Sequence, residues 1–156
     1  MTDYQKIRAA IEAPILLAYN NQTPPVPVYF DNVTAVPPDP GKEYIRVNLT
    51  FGAMDESSLA GSLSSPRGAL IIRCFAAKGG GPARCQELVE IAATVLRTLA
   101  STTRKPSGVF VRTGNVMGPS FYGETIESIE SSMSNQVPHF MGKISAGWQA
   151  VLPCSD

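Results

Sequence analysis

Two rhythms of apolar and polar residues run along this chain, and they mark its elements. From Thr2 to about Tyr19, Tyr4, Ile7, Ile11, Ile15 and Ala18 recur at steps of three and four, the spacing of one helical stripe. Thr2 with Gln5 fits a capping box, in which each residue satisfies the other's backbone N–H. Pro14 has no N–H to give and crowds the preceding turn, so it is expected to kink or split this helix. Asn20 to Pro27 is rich in turn formers, Val28 to Phe30 is a short strand candidate, and Pro37 to Gly41 is a loop. Then the period changes to two. Ile45, Val47, Leu49 and Phe51 alternate with Tyr44, Arg46, Asn48 and Thr50, as in a half-buried strand.

Gly52 to Pro66, rich in Gly and Ser, is predicted to be a long loop, and loops of that length often serve binding. Gly68 to Ala76 follows as a strand. Leu70, Ile72 and Cys74 face one way while Ala69, Ile71 and Phe75 make the other face apolar too, which predicts a central strand. Pro82 to about Ala100 returns to helical spacing through Cys85, Leu88, Val89, Ala92, Leu96 and Leu99, with Pro82 suited to the first helical position. Val109 to Thr113 and Phe140 to Leu152 are strands. In the last, Ile144, Ala146, Trp148 and Ala150 share a side. Gly114 to Pro138 is ambiguous: Ile126, Ile129 and Met133 allow a short helix, and the Ser-rich composition allows a loop. The order α-β-β-β-α-β-β predicts an α+β fold, a mostly antiparallel sheet with two helices packed on one face. The 156 residues suit a single domain spanning 1–156.

Charge refines this picture. Charged residues make up 17% of the chain and 13 bases balance 13 acids, which disfavours a nucleic-acid binder held by phosphate contacts. The balance is uneven along the chain. Arg67 to Arg112 carries eight bases and two acids, while Met1 to Pro66 carries four bases and seven acids. Such segregation can steer copies of one chain onto each other. Three Cys, none in a C-x-x-C pair, and one His argue against a disulfide framework or a Cys/His zinc site. Cys74 and Cys85 fall at apolar positions and read as buried thiols. No signal peptide or membrane span is visible, so a soluble protein made in a reducing cytoplasm is expected.

The motifs that carry chemistry are weak. Lys78-Gly79-Gly80-Gly81-Pro82 lies between a strand and a helix, where backbone N–H groups can hold an anion. It lacks the longer loop and the Lys-Ser/Thr pair of a phosphate loop. His139 stands at a strand start without a carboxylate to orient it. Ser57, Ser58, Ser62, Ser64 and Ser65 have no nucleophile-elbow frame. Glu124, Glu127 and Glu130 would share one face of a helix, without a calcium-loop pattern. No catalytic, metal or cofactor residue is assigned.

The stretch P-x-x-G-K-E-Y-I-R-V-N-L (Pro38 to Leu49), then R-G-A-L-I-I-R-C-F (Arg67 to Phe75), then A-K-G-G-G-P-A-R-C-Q-E-L (Ala77 to Leu88) opening a long helix, resembles the tail terminator family of tailed bacteriophages. That resemblance implies a structural protein of the virion, assembled in the host cytoplasm. It implies a homo-oligomeric ring, six copies in that family, on the head-proximal end of the tail tube. Such a ring stops tube polymerisation and presents a docking surface to the head's neck connector, and DNA passes through its centre without specific binding. The partners expected are other copies, the tube protein and the connector, and no membrane. Met54, Asp55, Leu59 and Leu63 are candidates for tube or neighbour contact. Arg67, Arg73 and Arg84 against Asp55, Glu56, Glu124 and Glu127 are candidates for the subunit seam. Two other readings stay open: a different neck protein, such as a head-closure or tail-completion factor, and a small-ligand or nucleotide-binding protein using the Gly79 to Gly81 joint.

Overall fold

The computed structural model describes residues 2–31, 42–56, 63–77, 82–100, 110–122 and 139–153. Helix α1 (Asp3–Asn20) starts at the capping box expected for it: Gln5 N donates to Thr2 Oγ1 at 3.3 Å and Thr2 N donates to Gln5 Oε1 at 2.7 Å. Pro14 lies inside the helix and does not split it. The stripe of Ile7, Ile11 and Ile15, all fully buried, anchors the turns on both sides of the proline, so tertiary packing outweighs the lost hydrogen bond. Strand β1 (Val28–Tyr29) pairs in parallel with β2 (Tyr44–Glu56). Strand β3 (Leu63–Ala77), helix α2 (Ala83–Leu99), β4 (Phe110–Tyr122) and β5 (His139–Pro153) complete the order.

The five strands form one sheet in the order β1-β2-β3-β5-β4, antiparallel at every pairing but the first. Both helices pack on one face, as the order of elements predicts. Ile45, Val47, Leu49, Leu70, Ile72, Cys74, Ile144, Ala146 and Trp148 point to that side and are buried. Across it lie the α1 stripe and Cys85, Leu88, Ala92, Leu96 and Leu99 of α2. Tyr19 ties the layers: its hydroxyl donates to Leu88 O at 2.8 Å and lies 3.6 Å from Cys74 Sγ. Burial pushes the Cys74 thiol up to about 12 and the Cys85 thiol up to about 11, as expected of apolar-site cysteines.

Three expectations need correction. Much of the loop expected over Gly52 to Pro66 is strand: β2 runs on to Glu56 and β3 begins at Leu63, with Met54↔Pro66, Asp55↔Ser65 and Glu56↔Ser64 in register. A bulge between Phe51 and Ala53 absorbs Gly52 and lets the ladder continue. The strict apolar alternation that predicts a half-buried strand stops at this bulge, so the rest of the ladder carries no periodic signal in the sequence. Likewise β4 runs to Tyr122, nine residues beyond Thr113, through two further irregularities and a positive φ at Asn115 and Gly118. Finally, Pro82 is the N-cap of α2, with Ala83 as its first residue.

Candidate assembly interface

Because both helices take one face, the other face of the sheet has no helix or strand packed on it among the described residues. Its side chains follow directly from the register. The row Tyr44, Phe75 and Met141 crosses β2, β3 and β5. The Tyr44 and Phe75 rings stack with centroids 4.4 Å apart, and Tyr29 meets Tyr44 edge-on. The next row is Arg46, Arg73 and Lys143, three cations directly opposite one another. Then come Asn48, Ile71 and Ser145, followed by Thr50, Ala69, Gly147 and Gly114. Last is Arg67, Gln149 and Arg112 across β3, β5 and β4. Thr50, Gly114, Arg67, Gln149 and Arg112 are exposed, as are Met117 and Ser120 of β4 opposite Ser145 and Lys143, and the other side chains named in these rows are half-buried by their neighbours.

Electrostatics divide the two faces. On the helix side and its rim, Lys6 pairs with Asp3 and Arg97 with Glu90. Arg8 Nη1 reaches Glu12 at 2.7 Å and Asp31 at 3.0 Å. Burial alone would raise the Asp31 carboxyl, but hydrogen bonds from Leu49 N, Asn48 and Arg8 outweigh it and leave its pKa below the ordinary value. Arg84 grips Glu43 with two bonds, Nε to Oε2 at 2.7 Å and Nη2 to Oε1 at 2.5 Å, and also reaches Glu87 at 3.0 Å. These bonds raise the guanidinium's pKa further above its already high value. On the open face, Arg73 Nη1 donates to the neutral Asn48 Oδ1 at 2.7 Å. Arg46, Lys143 and Arg112 have no ion pair among the described residues.

The structure therefore separates the seam residues named from the sequence. Arg67 and Arg73 share the open face. Arg84 sits at the start of α2 and is already clasped by its own chain, so it is a fold-stabilising cation with little charge left to offer a neighbour. Met54, Asp55 and Glu56 lie along the far end of the β2–β3 ladder, and Leu63 at the start of β3 pairs with Pro153 of β5. Leu59, Glu124 and Glu127 lie outside the described residues, as do Glu130 and the Gly79 to Gly81 joint. Sequence reasoning missed Arg46, Lys143 and Arg112. Their signal was present, since each takes the outward position of an alternating strand, but only strand order reveals that Arg46, Arg73 and Lys143 stand side by side.

Beside the Arg67 row is a pocket of about 600 Å³, lined by Arg67, Arg112, Asn115, Gln149, Gly114 and Gly147 among others. Among the described residues no helix is long and apolar enough to cross a membrane.

No protein-family model matches the chain, and no curated protein matches it. A solved structure is similar over 100% of both chains, with a TM-score of 0.65 and 22% sequence identity. At that identity the likeness supports a shared fold and leaves function to the chain's own surface.

Proposed function

We propose that this protein is a structural component of a phage tail, a terminator whose copies form a ring on the head-proximal end of the tail tube. The reading rests on one observation above all. The open sheet face sets Arg46, Arg73 and Lys143 in a single row beside the aromatic and methionine row of Tyr44, Phe75 and Met141. Like charges directly opposite on neighbouring strands cost free energy in the isolated chain. Arginine, aromatic residues and methionine are also the mixture that partner-covered surfaces favour. The stretches that resemble tail terminators supply the sheet's centre (β2 and β3) and the helix behind it (α2).

A ring needs a heterologous contact, in which one patch meets a different patch on the next copy, because only such contacts propagate. A cationic face cannot meet itself, so it suits head-to-tail packing. Closed on a tube end, a ring of this kind stops polymerisation because it matches the tube on one side only, and it leaves the other side for the neck connector.

Light scattering on a sizing column tests the assembly. The wild type should run as a closed oligomer, and the double variant Arg46→Glu with Lys143→Glu should run as a folded monomer. A folded variant of unchanged mass would remove this face from the seam. Electron microscopy of phage lacking the gene tests the role: overlong tails support a terminator, whereas tails of normal length detached from heads would assign the protein to another neck function.

A further inference from the structure

We propose that the outer face of α2, at Glu87 and Glu90, is the surface that meets the cation row Arg46, Arg73 and Lys143 of the next copy. The inference rests on the ring reading and names the second of the two patches that a head-to-tail ring requires. Among the described residues, Arg46 and Lys143 stand on the open face without an ion pair. The ion-paired carboxylates stand on the helix side or its rim. Charge is therefore separated across the thickness of the two layers, and each copy carries both halves of a complementary contact. That selects a second copy as the occupant, because an unrelated anion would use only one of the halves.

Among those carboxylates, Glu87 and Glu90 are singled out by exposure. Helix α2 buries Leu88, Ala92 and Leu96 against its own sheet and leaves Gln86, Glu87, Glu90 and Thr94 exposed. The Glu87 and Glu90 side chains are 65% and 67% exposed, against 16% for Glu12, 28% for Asp31 and 22% for Glu43. Each spends one oxygen within the chain. Glu87 Oε2 accepts from Arg84 Nη1 at 3.0 Å, and Glu90 Oε1 accepts from Arg97 Nη2 at 2.8 Å. The second oxygen of each makes no hydrogen bond among the described residues. A carboxylate has lone pairs for several donors, so both can take a base from a neighbour and keep the one they have.

The spacing fits as well. Residues three apart on a helix are separated by about 4.5 Å along its axis, and neighbouring strands lie about 4.8 Å apart. A helix laid across the strands therefore sets Glu87 and Glu90 over adjacent members of the cation row. The exposed stripe from Glu87 to Thr94 covers about 10 Å, which is also the span of a row crossing three strands. Copies joined in this way run sheet against helix in one direction, so neither patch meets itself.

Light scattering on a sizing column tests the pairing with two charge-reversed proteins. The face variant is Arg46→Glu with Lys143→Glu, and the helix variant is Glu87→Lys with Glu90→Lys. Each alone should run as a folded monomer, since like charges then meet at every contact. An equal mixture should recover the wild-type mass, because the reversed surface of each variant complements the other. The milder pair Glu87→Gln with Glu90→Gln should raise the concentration needed for half-assembly about tenfold or more. Asp3→Lys, which reverses an exposed carboxylate elsewhere on the helix layer, should leave it unchanged. A helix variant that melts like the wild type and keeps its mass would overturn this proposal while the open face stays in the seam with another occupant. Two monomeric variants whose mixture stays monomeric would overturn it too. Where the lysine pair lowers the melting temperature, the glutamine pair decides, and unchanged assembly there overturns the proposal. A monomeric wild type would remove the ring reading and this inference with it.

Discussion

The two faces of this sheet are made by the same strands and follow opposite rules. On the covered face, apolar side chains are sealed by helices, and the carboxylates around that layer, Asp3, Glu12, Asp31, Glu43, Glu87 and Glu90, are all matched to bases of the same chain. On the open face, bases stand opposite bases and apolar groups are half-exposed. A chain with 13 bases and 13 acids could have mixed them evenly. Instead the helix layer is internally settled, and the cationic surplus is collected where a second molecule can reach it. The first face carries the stability of the fold, and the second is the one proposed for recognition.

The largest test of that division compares adjacent residues of β3. Ile72 is fully buried against the helices, and Ile71 lies half-exposed on the other side. Ile72→Ala should cost about 2–5 kcal/mol through lost burial and a residual cavity. Ile71→Ala should cost well under half as much in the monomer, measured by urea unfolding. Equal losses would mean that the open face is as structural as the closed one. Glycines extend the comparison. A Cβ at Gly68 would sit 1.9 Å from Thr50 O and 3.0 Å from Trp148 Cζ2, whereas one at Gly147 meets nothing closer than 3.6 Å. The Thr50 carbonyl cannot retreat freely, because it accepts the indole N–H of Trp148 at 3.1 Å. Gly68→Ala should therefore cost roughly 1–3 kcal/mol, and Gly147→Ala little or nothing.

The covered face was also the legible one in the sequence. Every residue predicted for the core stripe of α2 is buried, as are Ile144, Ala146, Trp148 and Ala150, because burial against helices imposes strict periods. Beyond the bulge at Gly52 the strict alternation ends. Gly52 to Glu56 shows no apolar alternation, and its place in the sheet rests on pairing across strands, which sequence periodicity does not report. Phe51 marks the transition. It belongs to the alternating set yet remains 38% exposed, with its ring edge-on to Trp148 and Tyr4. The cation row was harder still to see. Arg46, Arg73 and Lys143 are separated by 27 and 70 positions, and β5 enters between β3 and β4 out of sequence order.

Alkaline pH probes the covered face through its thiols. Cys74 and Cys85 titrate near 9 when free and are raised to about 12 and about 11 by burial. Between these limits the unfolded chain gives up thiol protons that the folded chain retains. Stability is then complete below about pH 9 and falls as pH rises toward the folded values. The slope is at most about 1.4 kcal/mol per pH unit for each thiol. Urea midpoints taken from pH 8 to 11 should decline, and more gently in the Cys74→Ala, Cys85→Ala double variant. An unchanged slope in that variant would show that the thiols ionise as readily folded as unfolded.

The smallest effects separate the faces by sign. Arg97 and Glu90 form an ion pair at 2.8 Å with both side chains about two-thirds exposed. Removing it with Arg97→Gln should lower monomer stability by no more than about 0.5 kcal/mol. Arg46 has Arg73 directly opposite it, with Lys143 beyond. Arg46→Gln should relieve that crowding and raise monomer stability by a few tenths of a kcal/mol, most clearly at low ionic strength, where screening is weakest. If the proposed ring uses this face, the same substitution should act in the opposite direction at protein concentrations that favour assembly and weaken the oligomer. A loss of stability in the dilute monomer would mean that Arg46 serves the fold, and the contrast between the two faces would fail at its most specific point.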